Sequence, residues 1–201
     1  PATHGEEVAF SEKSLDEVNK KVFNRLDNLY AFLNMYTQGE LGSINQEEIQ
    51  NNLAEIKNPL DIWVLARLNQ VIGAVTKSFE AYELSRAMRT LNEFIDDVST
   101  WYVRRSRDRF KTEGSDRQHA IFTTRFVLEN ISRLMAPVTP FIAEDLYGKV
   151  KFTLAKANSS ATSPVISESE SVHLESWPLT ISLAPHGISR KDITPESQKG
   201  F

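Results

Sequence analysis

The sequence predicts an all-α fold of about five helices. Apolar residues recur at three- and four-residue spacing through most of the first 150 positions, which is the pattern of helices that bury one face. Glycine, proline and Ser-x-x-Glu or Ser-x-x-Gln sequences interrupt this pattern, as expected where one helix ends and the next begins. With 201 residues, 40% hydrophobic and 25% charged, the chain is long enough to bury the core of one such domain.

The first predicted helix starts at a capping box formed by Ser14 and Glu17 and ends at Gly39. Its apolar face is made of residues at helical spacing: Leu15, Val18, Val22, Leu26, Leu29, Leu33 and Tyr36. A polar connector follows, in which residues 46–53 are predicted to form a short helix.

The second long helix is predicted to start with Asn58 as its cap and Pro59 in its first turn, and we expect its Trp63 to lie in the core. A third helix is predicted over residues 84–110. Its buried stripe is Leu84, Ala87, Met88, Leu91, Phe94, Ile95, Val98, Trp101 and Tyr102.

Two further helices complete the prediction. A capping box of Ser115 and Gln118 starts the first of them, and Pro137 stops it. Thr139 and Pro140 start the last helix, which is predicted to run to about residue 149.

Composition divides the chain into a bundle over residues 1–154 and a Ser-rich flexible linker over 155–171. Residues 172–178 are predicted to be extended and to pack on the bundle through Trp177. Residues 179–201 are expected to form a disordered tail.

Several classes of function are disfavoured by the composition. The absence of cysteine excludes disulfides and thiolate metal sites and fits a reducing compartment. No apolar run has membrane-spanning length and no signal peptide opens the chain, so a cytoplasmic protein is expected. The formal net charge is −4, so contact with nucleic acid would require a local basic patch. The missing initiator methionine indicates a fragment of a longer protein.

The end of the third long helix carries such a patch. It combines two aromatic and four cationic residues: Trp101, Tyr102, Arg104, Arg105, Arg107 and Arg109. One interpretation is a solvated helix end, because arginines in a last turn complement the helix dipole and Asp108 can pair with Arg104. The other is RNA binding, because guanidinium groups fit phosphates and aromatic faces fit unstacked bases. The residues alone leave both interpretations open, and Trp101 and Tyr102 also continue the buried stripe.

Five stretches of the sequence, in this order, resemble the anticodon-binding domain of isoleucyl-tRNA synthetases, which are class I aminoacyl-tRNA synthetases. They are HGEEVAFSEK (4–13), NPLDIWVLARLN (58–69), DVSTWYVRRSRDRF (97–110), LMAPVTPFIAEDLY (134–147) and SVHLESWP (171–178). The third stretch resembles the signature helix of the domain. The resemblance covers about residues 3 to 178 and departs from the family at Ile62, where a cation is usual, and at Ser176, where an acidic residue is usual.

This resemblance implies an antiparallel helix bundle that grips the anticodon stem-loop of an isoleucine tRNA. The four arginines would contact phosphates, Trp101 and Tyr102 would belong to the same tRNA-binding site, and Asn28 and Arg25 on the first helix would be candidate base readers. The other expected partner is the catalytic domain of the parent synthetase, and a monomer is expected.

No catalytic residue and no metal ligand is predicted in this chain. The two ATP-site motifs of class I synthetases, His-Ile-Gly-His and Lys-Met-Ser-Lys-Ser, are both missing, as are a Gly-rich phosphate loop and a catalytic Ser/His/Asp order. No cofactor is therefore expected here, and ATP and magnesium would belong to the absent catalytic domain.

Alternatives remain within the class and outside it. Valyl- and leucyl-tRNA synthetases have related anticodon domains. A helical module that docks an acidic protein through its arginines would need no RNA. A di-metal bundle enzyme would need inward Glu-x-x-His pairs, which the sequence lacks.

Overall fold

A computed structural model describes residues 11–39, 41, 46–151, 171–181, 183–184 and 187–188. Helix α1 covers residues 12–37 and consists of Glu12–Val18, a π-helical stretch Asn19–Phe23, and Asn24–Thr37. Helix α2 is Gln46–Glu55 and helix α3 is Pro59–Glu80. Helix α4 covers residues 84–111 and consists of Leu84–Asp96, a π-helical stretch Asp97–Val103, and Arg104–Lys111.

Helix α5 is Ser115–Met135 and helix α6 is Pro140–Val150. A single 3₁₀ turn, Val172–Leu174, follows among the described residues. Two short strands, β1 (Leu183–Ala184) and β2 (Gly187–Ile188), pair antiparallel, and β2 lies against α2. The predicted all-α fold is confirmed, and these short strands are the only addition to it in the described part of the chain.

Neighbouring long helices run in opposite directions. The pairs Asp61–Arg109 and Arg67–Asp97 place the start of α3 beside the end of α4. Helix α1 runs parallel to α4, because Arg25 pairs with Asp96 and Phe32 packs on Phe110. The core between the helices contains fully buried side chains from α1, α3, α4 and α5, among them Leu33, Val64, Leu68, Phe94, Leu128 and Leu134. One end of the bundle therefore carries the end of α4 and the starts of α3 and α5.

Two predicted helix boundaries are confirmed. Asn58 accepts a hydrogen bond from the Leu60 backbone N–H at 3.0 Å, with Pro59 as the first helical residue. Helix α1 ends two residues before Gly39, and both Gln38 and Gly39 have positive φ (55° and 81°). Glycine tolerates this left-handed backbone, so Gly39 ends the helix as predicted.

Two predicted caps are wrong. Helix α1 begins at Glu12, two residues before Ser14, and an acidic residue in a first turn is favoured by the helix dipole. Ser115 is the first residue of α5 and not its cap, a position that Gly114 occupies without any side-chain hydrogen bond. Gly114 has φ +111°, so the reversal between α4 and α5 depends on glycine and not on a serine hydroxyl.

The C-terminal segment, residues 171–181, lies across α6, α5 and α3. The Ser171 hydroxyl and the Val172 N–H both donate to Glu144 at 2.9 Å. The Trp177 indole N–H donates to Thr76 Oγ1 at 2.8 Å and its ring meets Phe79 edge-on. The segment continues beyond the expected boundary at 178, because Ile181 is buried and its N–H donates to Asn69 at 2.7 Å. Residues 155–170 of the expected linker, and most of the expected tail, lie outside the described residues.

Candidate nucleic-acid interface

The π-helical stretch Asp97–Val103 lies inside α4, directly before the arginines. A π turn closes its hydrogen bonds one residue later than an α turn, so side chains beyond it point in other directions than a regular helix would give. Within the stretch Val98, Tyr102 and Val103 are buried, whereas Trp101 is half-buried. Regular helical spacing therefore does not give the directions of the arginines that follow, and their contacts show where each side chain points.

Arg109 is bound to a buried carboxylate. Its two Nη atoms donate to the two oxygens of Asp61 at 2.8 and 2.6 Å, and the Tyr102 hydroxyl donates to Asp61 Oδ1 at 2.7 Å. The Asp61 side chain is 0% exposed and that of Arg109 is 11% exposed. Two-point pairing of a guanidinium with a carboxylate is the strong form of this interaction. These three side chains join α3 to α4 inside the bundle.

The same guanidinium also holds the start of α5. Arg109 Nε and Nη2 each donate to Asp116 at 2.8 Å, and the Asn58 amide donates to Asp116 Oδ1 at 3.0 Å. We refer to Asn58, Asp61, Tyr102, Arg109 and Asp116 as the end cluster, because together they fix the starts of α3 and α5 to the end of α4.

Charges and burial set the pKa values within the end cluster. Burial raises the pKa of Tyr102 well above its usual value, and the negative charge of Asp61 raises it further. Burial opposes the charge of Arg109, but its hydrogen bonds to Asp61 and Asp116 outweigh burial and raise its pKa. The hydrogen bond from Arg109 holds the pKa of Asp116 below its usual range. The end cluster therefore holds a neutral Tyr102, a charged Arg109 and a charged Asp116 at neutral pH.

The predicted buried stripe ends at Tyr102, which would leave Arg109 outside the core, but the Arg109 side chain is only 11% exposed. Its partner Asp61 is 48 residues away in the sequence, which helical periodicity cannot reveal. Tyr102 is fully buried, so its ring offers no face on which a base could stack in this conformation. These two residues of the predicted site form internal contacts.

Arg104, Arg105 and Arg107 are exposed, and we refer to them as the arginine patch. At 3.6 residues per turn they cover an arc of about 160° of the helix. Among the described residues, no carboxylate forms a salt bridge with any of the three. Arg105 lies over the ring of Trp101, 5.0 Å from its centroid, and Arg107 lies 5.9 Å from the ring of Phe32 on α1. Aromatic contacts thus orient two guanidinium groups without neutralising their charge.

Each of these two arginines stands over a larger aromatic group. Trp101 packs on Trp63 of α3, with ring centroids 4.1 Å apart, and both indoles are half-buried. Phe32 packs on Tyr36 and Phe110 at 5.0 and 4.8 Å. The prediction that Trp63 belongs to the core is confirmed in part, because Trp63 packs against the core and also supports Trp101 at the surface.

The two predicted base-reading residues on α1 have different surroundings. Asn28 is exposed and lies one turn before Phe32, so it faces the side of the bundle on which Arg107 lies. Arg25 forms a 2.7 Å ion pair with Asp96 of α4 and is 31% exposed. Asn28 is therefore free to meet a ligand, whereas Arg25 would first have to leave Asp96.

Comparison with known proteins fits this arrangement. Residues 61–194, about two thirds of the chain, match the family described as the anticodon-binding domain of tRNA ligase. The chain belongs to this family.

Relatives of this anticodon-binding domain include isoleucine–tRNA ligases. That of Clostridium novyi is 35% identical over 171 residues, covering 84% of this chain and 15% of the relative. That of Deinococcus radiodurans is 35% identical over 176 residues (87% and 14%), and that of Chlamydia trachomatis serovar A is 36% identical over 176 residues (86% and 15%). The chain spans about a seventh of the length of these relatives.

Sequence reasoning missed the residues that hold the patch in place. Nothing in the local sequence marks Asp61 or Asp116 as part of the site. Arg117 was also missed: it donates to the backbone carbonyls of Tyr36 at 2.8 Å and Phe110 at 3.1 Å and so ties α1 to α4. All three form contacts between helices distant in sequence, and no local pattern signals them.

The described residues contain no group of three or more His, Asp or Glu side chains that could hold a metal ion. In that same part of the chain, no helix combines the length and the apolar character needed to span a membrane.

Proposed function

We propose that this domain binds the anticodon stem-loop of an isoleucine tRNA, as part of a longer isoleucine–tRNA ligase that works as a monomer in the cytoplasm. The arginine patch is the observation that carries the proposal. It supplies three exposed cations on one helix end, none of them in a salt bridge with the residues that the structure describes, in a chain that belongs to the anticodon-binding family. Local positive charge is needed because the chain as a whole has a net charge of −4.

The roles of the side chains follow from their surroundings. Arg104, Arg105 and Arg107 would contact phosphates, and two of them are already oriented by aromatic rings. The exposed Asn28 would contact a base edge, because an amide can both donate and accept hydrogen bonds. The exposed edge of Trp101 would lie beside the bound strand, whereas Tyr102 and Arg109 would support the site from inside.

The rest of the reaction is assigned to other parts of the longer protein. ATP, magnesium and isoleucine would be bound by its catalytic domain, since this chain lacks both ATP-site motifs of the class. The domain described here would contribute tRNA affinity and selection, so that the correct tRNA is held while the distant site attaches isoleucine.

A titration with tRNA at several salt concentrations tests the proposal. The triple variant Arg104→Gln/Arg105→Gln/Arg107→Gln should bind isoleucine tRNA more weakly, and its plot of log affinity against log salt should be flatter by about two units, at ~0.7 to 0.9 per lost phosphate contact. The matched control, Lys20→Gln/Lys21→Gln/Arg86→Gln, removes the same charge at the opposite end of the bundle and should keep the wild-type slope.

The competing explanations give other results. If the patch docks an acidic protein, an acidic peptide will displace tRNA from the domain and the anticodon sequence will not matter. A valyl or leucyl parent would be indicated by a preference for valine or leucine tRNA over isoleucine tRNA. If the triple variant, the control and the wild type all show the same slope of log affinity against log salt, the patch is a solvated helix end and does not bind RNA.

A further inference from the structure

Two ion pairs join α4 to its neighbours where the π-helical stretch begins. Asp96 pairs with Arg25 of α1, with 2.7 Å between Oδ1 and Nη1, and Asp97 pairs with Arg67 of α3, with 3.0 Å between Oδ2 and Nε. All four side chains are between 30% and 46% exposed. The two pairs therefore have the same charges and similar exposure, and they connect α4 to two different helices.

The hydrogen bonding of the two pairs differs. Arg67 donates to Asp97 at 3.0 Å and also to Gln70 at 3.5 Å. The buried Oδ1 of Asp96 has no hydrogen-bond partner among the described residues, although the Arg25 guanidinium lies 2.7 Å away. The contact between Arg25 and Asp96 is thus a charge contact without an aligned hydrogen bond, and half-exposed pairs are weak in water. Of the two cations, Arg25 is the easier to release.

Arg25 also lies on the stripe of α1 that leads to the arginine patch. Asn28 and Phe32 follow it by three and seven residues, which places all three on one side of the helix. Phe32 packs on Phe110 of α4 and lies 5.9 Å from the Arg107 guanidinium. Seven helical residues span about 10 Å, over which one strand of a duplex presents about three phosphates. A strand bound at Arg107 and running along this stripe would bring a phosphate within reach of Arg25.

We propose that Asp96 holds Arg25 in the free domain and releases it to a phosphate of the bound tRNA strand, which lies along the groove between α1 and α4. This inference rests on the proposed function, because it adds one contact and one positioning residue to the same site. Carboxylate and phosphate both match the donor fork of a guanidinium, so Arg25 can exchange one anion for the other. Asp96 acts through Arg25 and lowers the affinity for tRNA, because its ion pair has to be broken on binding.

Charge-neutral double substitutions test the exchange. Arg25→Gln/Asp96→Asn removes one pair and Arg67→Gln/Asp97→Asn removes the other, so both variants keep the net charge of −4. Each is titrated with isoleucine tRNA at several salt concentrations in the 201-residue chain, beside the wild type and the triple glutamine variant of the arginine patch. Urea unfolding of every variant checks that the fold is retained.

We expect Arg25→Gln/Asp96→Asn to bind tRNA more weakly and to flatten the plot of log affinity against log salt by ~0.7 to 0.9, the value for one lost phosphate contact. Arg67→Gln/Asp97→Asn should behave as the wild type. Asp96→Asn alone should tighten binding by about two- to five-fold, because no ion pair has to be broken, and Asp97→Asn should tighten it less. Arg25→Lys should keep the wild-type slope, since an ammonium group also neutralises a phosphate.

The other outcomes separate this inference from the proposed function. A flatter slope for the triple variant with a wild-type slope for Arg25→Gln/Asp96→Asn would overturn the exchange and leave the proposed function standing. A flatter slope for Arg67→Gln/Asp97→Asn alone would also overturn it, because the strand would then lie between α3 and α4. Wild-type slopes for all three variants would contradict the proposed function and the exchange together.

Discussion

Arg105 and Arg109 lie one helical turn apart and have opposite surroundings. Arg105 is exposed above Trp101, whereas Arg109 is held by two carboxylates, one of them fully buried. A guanidinium in water can bind a phosphate at little cost, but one that already fills the space between Asp61 and Asp116 would have to break several hydrogen bonds first. Two arginines of the same helix therefore differ in role. Arg105 is available to a ligand, whereas Arg109 holds neighbouring helices together.

Substitution of Arg109 should destabilise the domain. Arg109→Gln leaves the Asp61 carboxylate buried without its cation, which costs about 3 kcal/mol or more of the free energy of unfolding. Arg105→Gln removes only an exposed side chain and should change it by no more than about 0.5 kcal/mol. Urea unfolding followed by circular dichroism measures both. A stable Arg109→Gln variant would mean that the end cluster does not hold the helices together.

Tyr102 should make the domain sensitive to alkali. Its pKa in the folded state is raised by burial and by Asp61, so above about pH 10 the unfolded chain loses a proton that the folded chain keeps. This contribution to stability is complete below about pH 10 and is lost as pH rises further. Tyr102→Phe removes it. The slope of unfolding free energy against pH should therefore be shallower in the variant than in the wild type, by up to ~1.4 kcal/mol per pH unit.

The stability of the two proteins below the pKa of an ordinary tyrosine provides the control for that experiment. Between about pH 7 and 9 the two proteins should differ by a constant amount, because neither state of Tyr102 titrates there. Parallel curves above pH 10 would show that Tyr102 ionises equally well in the folded protein and would contradict its burial beside Asp61.

At the scale of single elements, local sequence patterns predicted the order of the long helices and the boundaries at Asn58-Pro59 and Gly39, but not the caps at Ser14 and Ser115. Periodicity, Asn58-Pro59 and Gly39 act within one or two turns, so the sequence shows them directly. The interior of α4 could not be predicted in the same way. Its π-helical stretch alters the direction of everything after Trp101, and the carboxylates that bind Arg109 belong to other helices. The exposed arginines of the candidate site could thus be named from the sequence, whereas the contacts of Arg109 and Tyr102 depended on tertiary structure.

Two glycines test the account of the helices and their turns. Gly73 lies inside α3 with open space around it, and alanine has the higher helix propensity, so Gly73→Ala should raise the free energy of unfolding by about 0.5 to 1 kcal/mol. Gly114 also has open space, but its φ of +111° is unfavourable for any residue with a Cβ atom. Gly114→Ala should therefore lower stability by about 1 kcal/mol or more.

The two alanine variants share one chemical change, so thermal unfolding of both separates backbone conformation from packing. Opposite shifts of Tm are expected. Shifts of the same sign would contradict the assignment of Gly114 to the turn between α4 and α5, and with it the explanation for the failed prediction of a Ser115 cap.

At the scale of the whole molecule, helix α4 links two surfaces of different character. Its first half lines an apolar groove together with α1 and the turn between α5 and α6, and its last turns carry the arginine patch, with Leu84 and Arg105 about 30 Å apart along the axis. The rigid core between them is built from α1, α3, α4 and α5. The two ends therefore differ in charge and in polarity.

We expect the two ends to act independently. Sites this far apart that share no partner give additive effects, to within about 0.5 kcal/mol. Because the chain contains no cysteine, a neutral reagent can be attached to a single Leu84→Cys thiol in the groove, and this labelling should leave the affinity for isoleucine tRNA and its salt dependence unchanged. Conversely, glutamine at Arg104, Arg105 and Arg107 should leave the rate of labelling at the Leu84→Cys thiol unchanged. A chain that carries all four substitutions should show the sum of their separate effects. If tRNA binding slowed the labelling at Leu84→Cys, α4 would transmit a change between its ends, and the view of α4 as a rigid connection would have to be given up.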